Sequence, residues 1–369
     1  MNILKKLLTS KNCYVGKSYK NKNTSIKINN LIIKCLGRKI DLLNQNDLQT
    51  LSLEDIKNID ANIRLKYQKQ FVKILKPELT SITNGFLDKN DIQDFRVGAQ
   101  CKHKKNQSNN NDNLKNTMHN SNKMKKFLGD SFYSYPTVPH QDLSSNGYRS
   151  SSVFIFYFQI TPPFKNSCML QFSKFKKNIG LLEEEKKIIG NELHYLTKNK
   201  AIEKTTWVTP KTISPGKITI FNSMTLHKTG DMGETPRLAL NIKIHPKSIK
   251  YLYRIFNIKL NFEKKKINHN LNILQKDLAK IAKYNNIFNF ELAIVALMKG
   301  KISASKIYLQ KLCLFKLNKN MFNKILIGAK YRLCLEDMVN FKKLNVKQLM
   351  SKKKIVKFSI LDSILRTFN

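Results

Sequence analysis

Arginine is scarce in this 369-residue sequence: eight of its 67 basic residues are arginine, against 25 acidic residues in all. The formal charge of +42 is therefore almost entirely lysine. Proteins that read phosphates and base edges rely on the bidentate arginine fork. The excess thus argues for solvated basic faces over a dedicated polyanion site. Cysteine is sparse too. The six thiols (Cys13, Cys35, Cys101, Cys168, Cys313 and Cys334) contain no CxxC pair, which suits reduced thiols better than a disulfide framework or a zinc ribbon. Long hydrophobic runs are missing: no stretch approaches the roughly 20 apolar residues of a membrane span. The opening MNILKKLLTSKNCYVGKS lacks the apolar run of a signal peptide. These absences lead to the expectation of a soluble, cytoplasmic protein with no membrane span.

What is present is enough apolar material for a core, 41% of residues. The charge is uneven, since residues 131–246 hold 15 basic and eight acidic residues, so that most of the excess lies in the flanks. Residues 1–90 are expected to be mostly helical, with a helix over RLKYQKQFVKILKPELTSITNGFL, where apolar residues recur near every 3.6 positions. The core is expected over 91–246, interrupted by a polar, flexible insert at 102–126. Within the core, DFRVGAQC, SSVFIFYFQI, SCMLQF, PGKITIF and RLALNIKIHP read as strands, and LLEEEKKIIGNELHYL as a charged helical interlude. Residues 247–369 are expected to form a helical C-terminal extension, with Gly300 as a stop between two helices. Many short strands between Pro/Gly turns argue for a closed or double-sheet β unit.

One pattern carries chemistry. YPTVPHQDL places His140 and Asp142 two residues apart, so that on an extended segment both side chains look the same way. Downstream, PGKITIFNSMTLHKTG supplies His227 at the end of a strand, and Arg237 opens the next strand ten residues later. Two histidines and one carboxylate are the facial triad of non-haem Fe(II) oxygenases, which leaves positions for a chelating cosubstrate and dioxygen. In RLALNIKI, Leu238, Leu240, Ile242 and Ile244 share one face and Arg237, Ala239 and Asn241 the other, so Arg237 is expected to face a pocket. Taken singly, each residue has a plainer role: His140 as a turn cap, His227 as a core histidine, Arg237 as the partner of Glu234 or Asp231, Thr229 as a turn residue.

The span from about 94 to 246 resembles the 2-oxoglutarate/Fe(II)-dependent oxygenase superfamily, in its phytanoyl-CoA dioxygenase-like branch. Within that branch it is most similar to oxygenases found sporadically among carbohydrate-biosynthesis genes. The resemblance rests on PHQD, NSCMLQF, PGKITIFNSMTLHKTG and TPRLALNIKIHP. It implies an α+β fold: a double-stranded β-helix (jelly-roll) core, with flanking N-terminal helices and the helical extension. It implies His140, Asp142 and His227 as iron ligands. Arg237 would pair with the distal carboxylate of 2-oxoglutarate, Thr229 would contact the same carboxylate, and Gln141 would also touch the cosubstrate. The implied cofactors are Fe(II), 2-oxoglutarate and O2, and the implied reaction is hydroxylation of a small polar metabolite, a sugar or an anionic compound. The tail after the NSCMLQF strand, FSKFKK, departs from the Gly-Ser-His usual in the branch, which bears on the substrate and the lid more than on the metal. The alternative is a non-catalytic β-helix whose basic flanks bind nucleic acid or another polyanion. A homo-oligomer formed through the C-terminal helices is the further partner expectation.

Overall fold

Stretches with a period of two form strands and stretches with a period of 3.6 form helices, as side-chain direction requires. The computed structural model describes residues 3–9, 14–83, 92–103, 133, 137–142, 154–174, 180–189, 192–197, 205–246, 251, 252, 255, 267–283, 286–312 and 323–329. Its strands are β1 (Tyr14–Ser18), β2 (Ile92–Ala99), β3 (Phe154–Gln159), β4 (Leu170–Ser173), β5 (Glu184–Ile189), β6 (Glu192–Thr197), β7 (Trp207–Val208), β8 (Lys217–Asn222), β9 (His227–Thr229) and β10 (Ala239–Pro246). The helices are α1 (Ile3–Thr9), α2 (Asn23–Leu36), α3 (Gln45–Gln49), α4 (Leu53–Asn62), α5 (Gln68–Thr83), α6 (Ile267–Ala282), α7 (Phe288–Met298) and α8 (Ile302–Leu312), with a turn of π-helix at Ile63–Tyr67 joining α4 to α5.

Five strands pair antiparallel in the order β1-β8-β3-β10-β2, and three in the order β7-β4-β9. All six side chains of β3, FIFYFQ, are buried, because the larger sheet is covered on both faces. Phe154, Phe156 and Phe158 join Leu238, Leu240, Ile242 and Ile244 in a core shared with Ile28 and Ile32 of α2, Ile56 and Ile59 of α4, and Phe71 and Leu75 of α5. Ile155, Tyr157, Phe221 and Ala239 face the other way and pack on Leu170 and Phe172 of the smaller sheet. His227, against Phe172 and Phe221, and Arg237, against Tyr157, face this space between the sheets. Phe156 therefore serves stability and not the site. Phe156→Ala is expected to lower the unfolding free energy by about 3–5 kcal/mol in urea titrations; a loss below about 1 kcal/mol would contradict the two-sided burial.

The helices begin and end where their sequences direct. Ser52 and Asp55 form a capping box at the start of α4, Asn44 caps α3, and Gly37 ends α2 in a left-handed conformation that suits glycine. Buried Glu78 of α5 accepts from the backbone N–H groups of Lys20 and Asn21 and from the Thr24 hydroxyl, which fastens the start of α2. Gly300, also left-handed, separates α7 from α8.

One expectation needs correction. LLEEEKKIIGNELHYL is not helical: it forms the β5–β6 hairpin, with Ile189 opposite Glu192 and Glu184 opposite Thr197. Helix-forming Glu and Lys misdirect the reading there, while the Gly190-Asn191 pair between the strands is itself a hairpin signal. The described part of the N-terminal region is mostly helical, as expected, and adds β1 as an edge strand on β8. Among the described residues no helix is long and apolar enough to cross a membrane. Cys35, Cys101 and Cys168 are free and buried. Residues 104–132, most of the expected insert, lie outside the described residues, as do Cys13, Cys313 and Cys334.

Candidate metal centre

The segment 137–142 runs alongside β9. Thr229 N–H donates to Thr137 O at 3.0 Å, and His140 and His227 exchange both backbone hydrogen bonds, at 3.0 and 3.1 Å. The two histidines are thus direct cross-strand partners, with ring centroids 4.3 Å apart. Their orientation is set in the same way twice. The His140 Nδ1–H donates to Val138 O at 2.8 Å and the His227 Nδ1–H to Thr225 O at 2.9 Å, in each case a carbonyl two residues earlier. A carbonyl can only accept, so Nδ1 carries the proton and Nε2 presents its lone pair. A second bond of this kind is what fixes the tautomer of a metal-binding histidine.

Asp142 completes the cluster. Its Oδ1 lies 3.8 Å from His140 Nε2 and its Oδ2 3.8 Å from His227 Nε2. One donor atom from each of the three residues falls within 4.8 Å of the others. Metal–donor bonds of about 2.1 Å place donors roughly 3–4 Å apart, so the cluster is close to the size of a single ion's shell and would contract slightly onto one. The Phe172 and Phe221 rings wall His227 at centroid distances of 6.2 and 5.0 Å.

Protonation states agree with this. Burial, then the neighbouring His140, brings the His227 pKa down to about 3, and burial also lowers that of His140. For Asp142 burial opposes the charge, but Lys243, His227 and His140 outweigh it and hold the carboxyl well below its usual range. Two neutral imidazoles and one carboxylate are a donor set for a borderline divalent transition metal. A pH dependence follows. Between pH 6.5 and about 3 the unfolded chain binds a proton at His227 that the folded chain refuses. Stability of the metal-free protein is therefore full above pH 6.5 and falls as the pH drops through that window. From this group alone the slope is up to about 1.4 kcal/mol per pH unit. Urea midpoints at pH 7.5 and 5 check this, and equal midpoints would refute it.

Arg237 sits where its strand pattern directs. It is 1% exposed, on the inter-sheet face that it shares with Ala239, Asn241 and Lys243. Nη2 donates to Gln100 O at 3.3 Å and the guanidinium carbon stands 5.9 Å from the Tyr157 ring centre. Nε and Nη1 find no hydrogen-bond partner among the described residues. No ion pair joins Arg237 to Glu234 or Asp231 among the described residues. Each buried donor left unmade costs about 1–3 kcal/mol, so the geometry fits an anionic group received by the guanidinium edge.

Thr229 shares the face of His227, two residues on, and is buried opposite Leu170. Gln141 is a correction. Lying between two residues that face the cluster, it points the other way. Nε2 donates to Met224 O at 2.7 Å and Gly180 O at 3.3 Å, and Oε1 accepts from Leu182 N–H at 2.9 Å. Its amide ties loops together rather than touching a cosubstrate.

Two lysines were not singled out from the sequence. Lys102, placed there at the start of a flexible insert, is 1% exposed and exchanges backbone hydrogen bonds of 2.8 and 2.9 Å with Arg237. Directly paired residues share a sheet face, and like charges so placed repel, which suits an anion beside them. The signal was available, since Gln100 and Lys102 continue the alternation of β2. Lys243 Nζ lies 3.0 Å from Asp142 Oδ1. It continues the series Arg237, Ala239, Asn241 by one step.

No family model and no curated protein matches the chain. Among solved structures it is similar to the non-heme alpha ketoglutarate dependent epimerase SnoN from nogalamycin biosynthesis, at 10% identity over 66% of this chain and 83% of that one, with a TM-score of 0.34. SnoN is also known in complex with Fe3+ and alpha ketoglutarate. A Pseudomonas putida prolyl-4-hydroxylase is similar at 10% identity over 66% of this chain and 90% of its own, TM-score 0.31. EvdO2 from Micromonospora carbonacea var. aurantiaca is similar at 16% identity over 49% and 66%, TM-score 0.32. The metal-site assignment stands on the donor geometry, not on these likenesses.

Proposed function

We propose that the chain is an Fe(II)- and 2-oxoglutarate-dependent oxygenase of the phytanoyl-CoA dioxygenase-like branch, built on a jelly-roll core and acting as a hydroxylase. The observation that supports it most is one inter-sheet space holding two kinds of site. At one end stands the His140, Asp142 and His227 cluster, and at the other a buried guanidinium with two nitrogens unbonded among the described residues. In this reading His140, Asp142 and His227 hold Fe(II). Arg237, with Lys102 beside it, receives the distal carboxylate of 2-oxoglutarate, and the Thr229 hydroxyl adds a hydrogen bond to it. With its cosubstrate and dioxygen, the metal supplies the oxidising power for hydroxylating an unactivated C–H bond. The chain's own residues orient the cosubstrate, and Phe172 and Phe221 keep water from one side of His227.

The substrate assigned is a small polar metabolite of a carbohydrate pathway, on the sequence resemblance, in a soluble cytoplasmic enzyme that self-associates through α6–α8. Genes for sugar-nucleotide or glycosyl-transfer enzymes beside this one are the expected context; their absence would remove the carbohydrate assignment. The decisive experiment for the activity class is anaerobic addition of Fe(II) and 2-oxoglutarate. A visible charge-transfer band that needs both components is expected. Folded protein that gives no band and retains zinc tightly would overturn the reading.

A further inference from the structure

Arg237, two residues before β10, and Lys243 within it fall on the same face by alternation, six residues apart, roughly 20 Å at the rise of an extended chain. Their long side chains approach the space between the sheets from opposite ends. Arg237 is fully enclosed, whereas the Lys243 side chain is 27% exposed and marks the more open end. The Lys243 ammonium is bonded to one named oxygen, Asp142 Oδ1, at 3.0 Å. The other oxygen, Oδ2, stands 3.8 Å from His227 Nε2, as Oδ1 does from His140 Nε2, so the ammonium and not the histidines distinguishes the two oxygens.

A carboxylate can bind a metal through one oxygen or through both, and the choice changes how many positions stay open. A facial triad leaves three positions for a chelating cosubstrate and dioxygen only if its carboxylate uses one oxygen. A charge-assisted N–H···O bond is about twice as strong as a neutral one, so an ammonium on Oδ1 opposes a swing that would present both oxygens. A cation this near a metal opposes metal binding as such, so what Lys243 contributes is the direction of the carboxylate.

We infer that Lys243 is a positioning residue that ties down Asp142 Oδ1, so that a metal is taken through Oδ2 alone and the cosubstrate's positions stay open. Its consequence for 2-oxoglutarate rests on the proposed function above; its consequence for the carboxylate does not.

The test loads parent, Lys243→Met and Lys243→Arg proteins, labelled with 13C at aspartate carboxylates, with Mn(II). Infrared difference spectra then read the separation of the antisymmetric and symmetric carboxylate stretches, wide for one-oxygen binding and narrow for two. A wide separation is expected in the parent and in Lys243→Arg, and a narrow one in Lys243→Met. On the same Mn(II)-loaded proteins the 2-oxoglutarate dissociation constant should rise at least about tenfold in Lys243→Met, equivalent to about 1.4 kcal/mol, with Lys243→Arg close to the parent. Should Lys243→Met fail to fold, Lys243→Gln carries the same comparison, since it too removes the charge. A parent-like separation in the uncharged variant overturns the inference. A parent that holds Mn(II) but binds no 2-oxoglutarate overturns the proposed function instead, and the stretches still decide the role of Lys243.

Discussion

Replacing Arg237 with alanine is expected to leave the metal in place and raise the apparent 2-oxoglutarate constant roughly 30- to several-thousand-fold. The range follows from the cost of truncating one partner of a buried, hydrogen-bonded charge pair, about 2–5 kcal/mol. Burial decides that the large figure applies. An exposed ion pair contributes about 0–1 kcal/mol, but this guanidinium is enclosed, with Nε and Nη1 unbonded among the described residues. Arg237→Lys should recover only part of the loss, since lysine keeps the charge and loses the fork. Lys102 stays beside the site in both variants and limits the loss. The check is a 2-oxoglutarate titration of the Fe(II)-loaded variants with metal content measured alongside. Unchanged affinity in Arg237→Ala would make the arginine structural and move the cosubstrate elsewhere.

His227→Ala is expected to abolish metal binding and every metal-dependent turnover of 2-oxoglutarate together. The substitution removes one of three donors, and the remaining pair, His140 and Asp142, comes from a single short segment. Losing only the partner that orients a metal-binding histidine costs about 10–100-fold in metal affinity, so losing the donor itself is expected to cost more. The backbone bridge between positions 140 and 227 does not use the side chain and should survive. Metal content after dialysis, read beside the thermal midpoint of the metal-free protein, separates lost binding from lost folding. Stoichiometric metal in folded His227→Ala would show that His227 is a core histidine and not a ligand. The contrast between the two substitutions is itself informative: one empties the site, and the other leaves it loaded but poorly supplied with cosubstrate.

The sequence by itself determined much about where the candidate site lies. The i, i+2 relation of His140 and Asp142, the placement of His227 at a strand end, and the alternation that turns Arg237 away from Leu238 and Leu240 all depend on strand geometry. Strand geometry is local, so these features were legible. The two-sided burial of β3 was legible for the same reason, since FIFYFQ has no polar face to give to water until Gln159.

Tertiary structure alone decided the rest. That His140 stands directly opposite His227 is a pairing of residues 87 positions apart, settled by two backbone hydrogen bonds that no local pattern announces. The role of Gln141 turned on the arrival of the 180–182 and 224 loops behind it, which claim its amide. β1 is a strand because β8 offers it an edge, and the charged run at 184–197 is a hairpin because its two halves pair more favourably with each other than either half coils alone. The contact between Lys243 and Asp142 joins residues 101 positions apart. Composition presents Lys243 as one lysine among many. Only the closing of the sheets over one another selects it, because an ammonium acquires a specific partner when the fold brings a carboxylate within 3.0 Å.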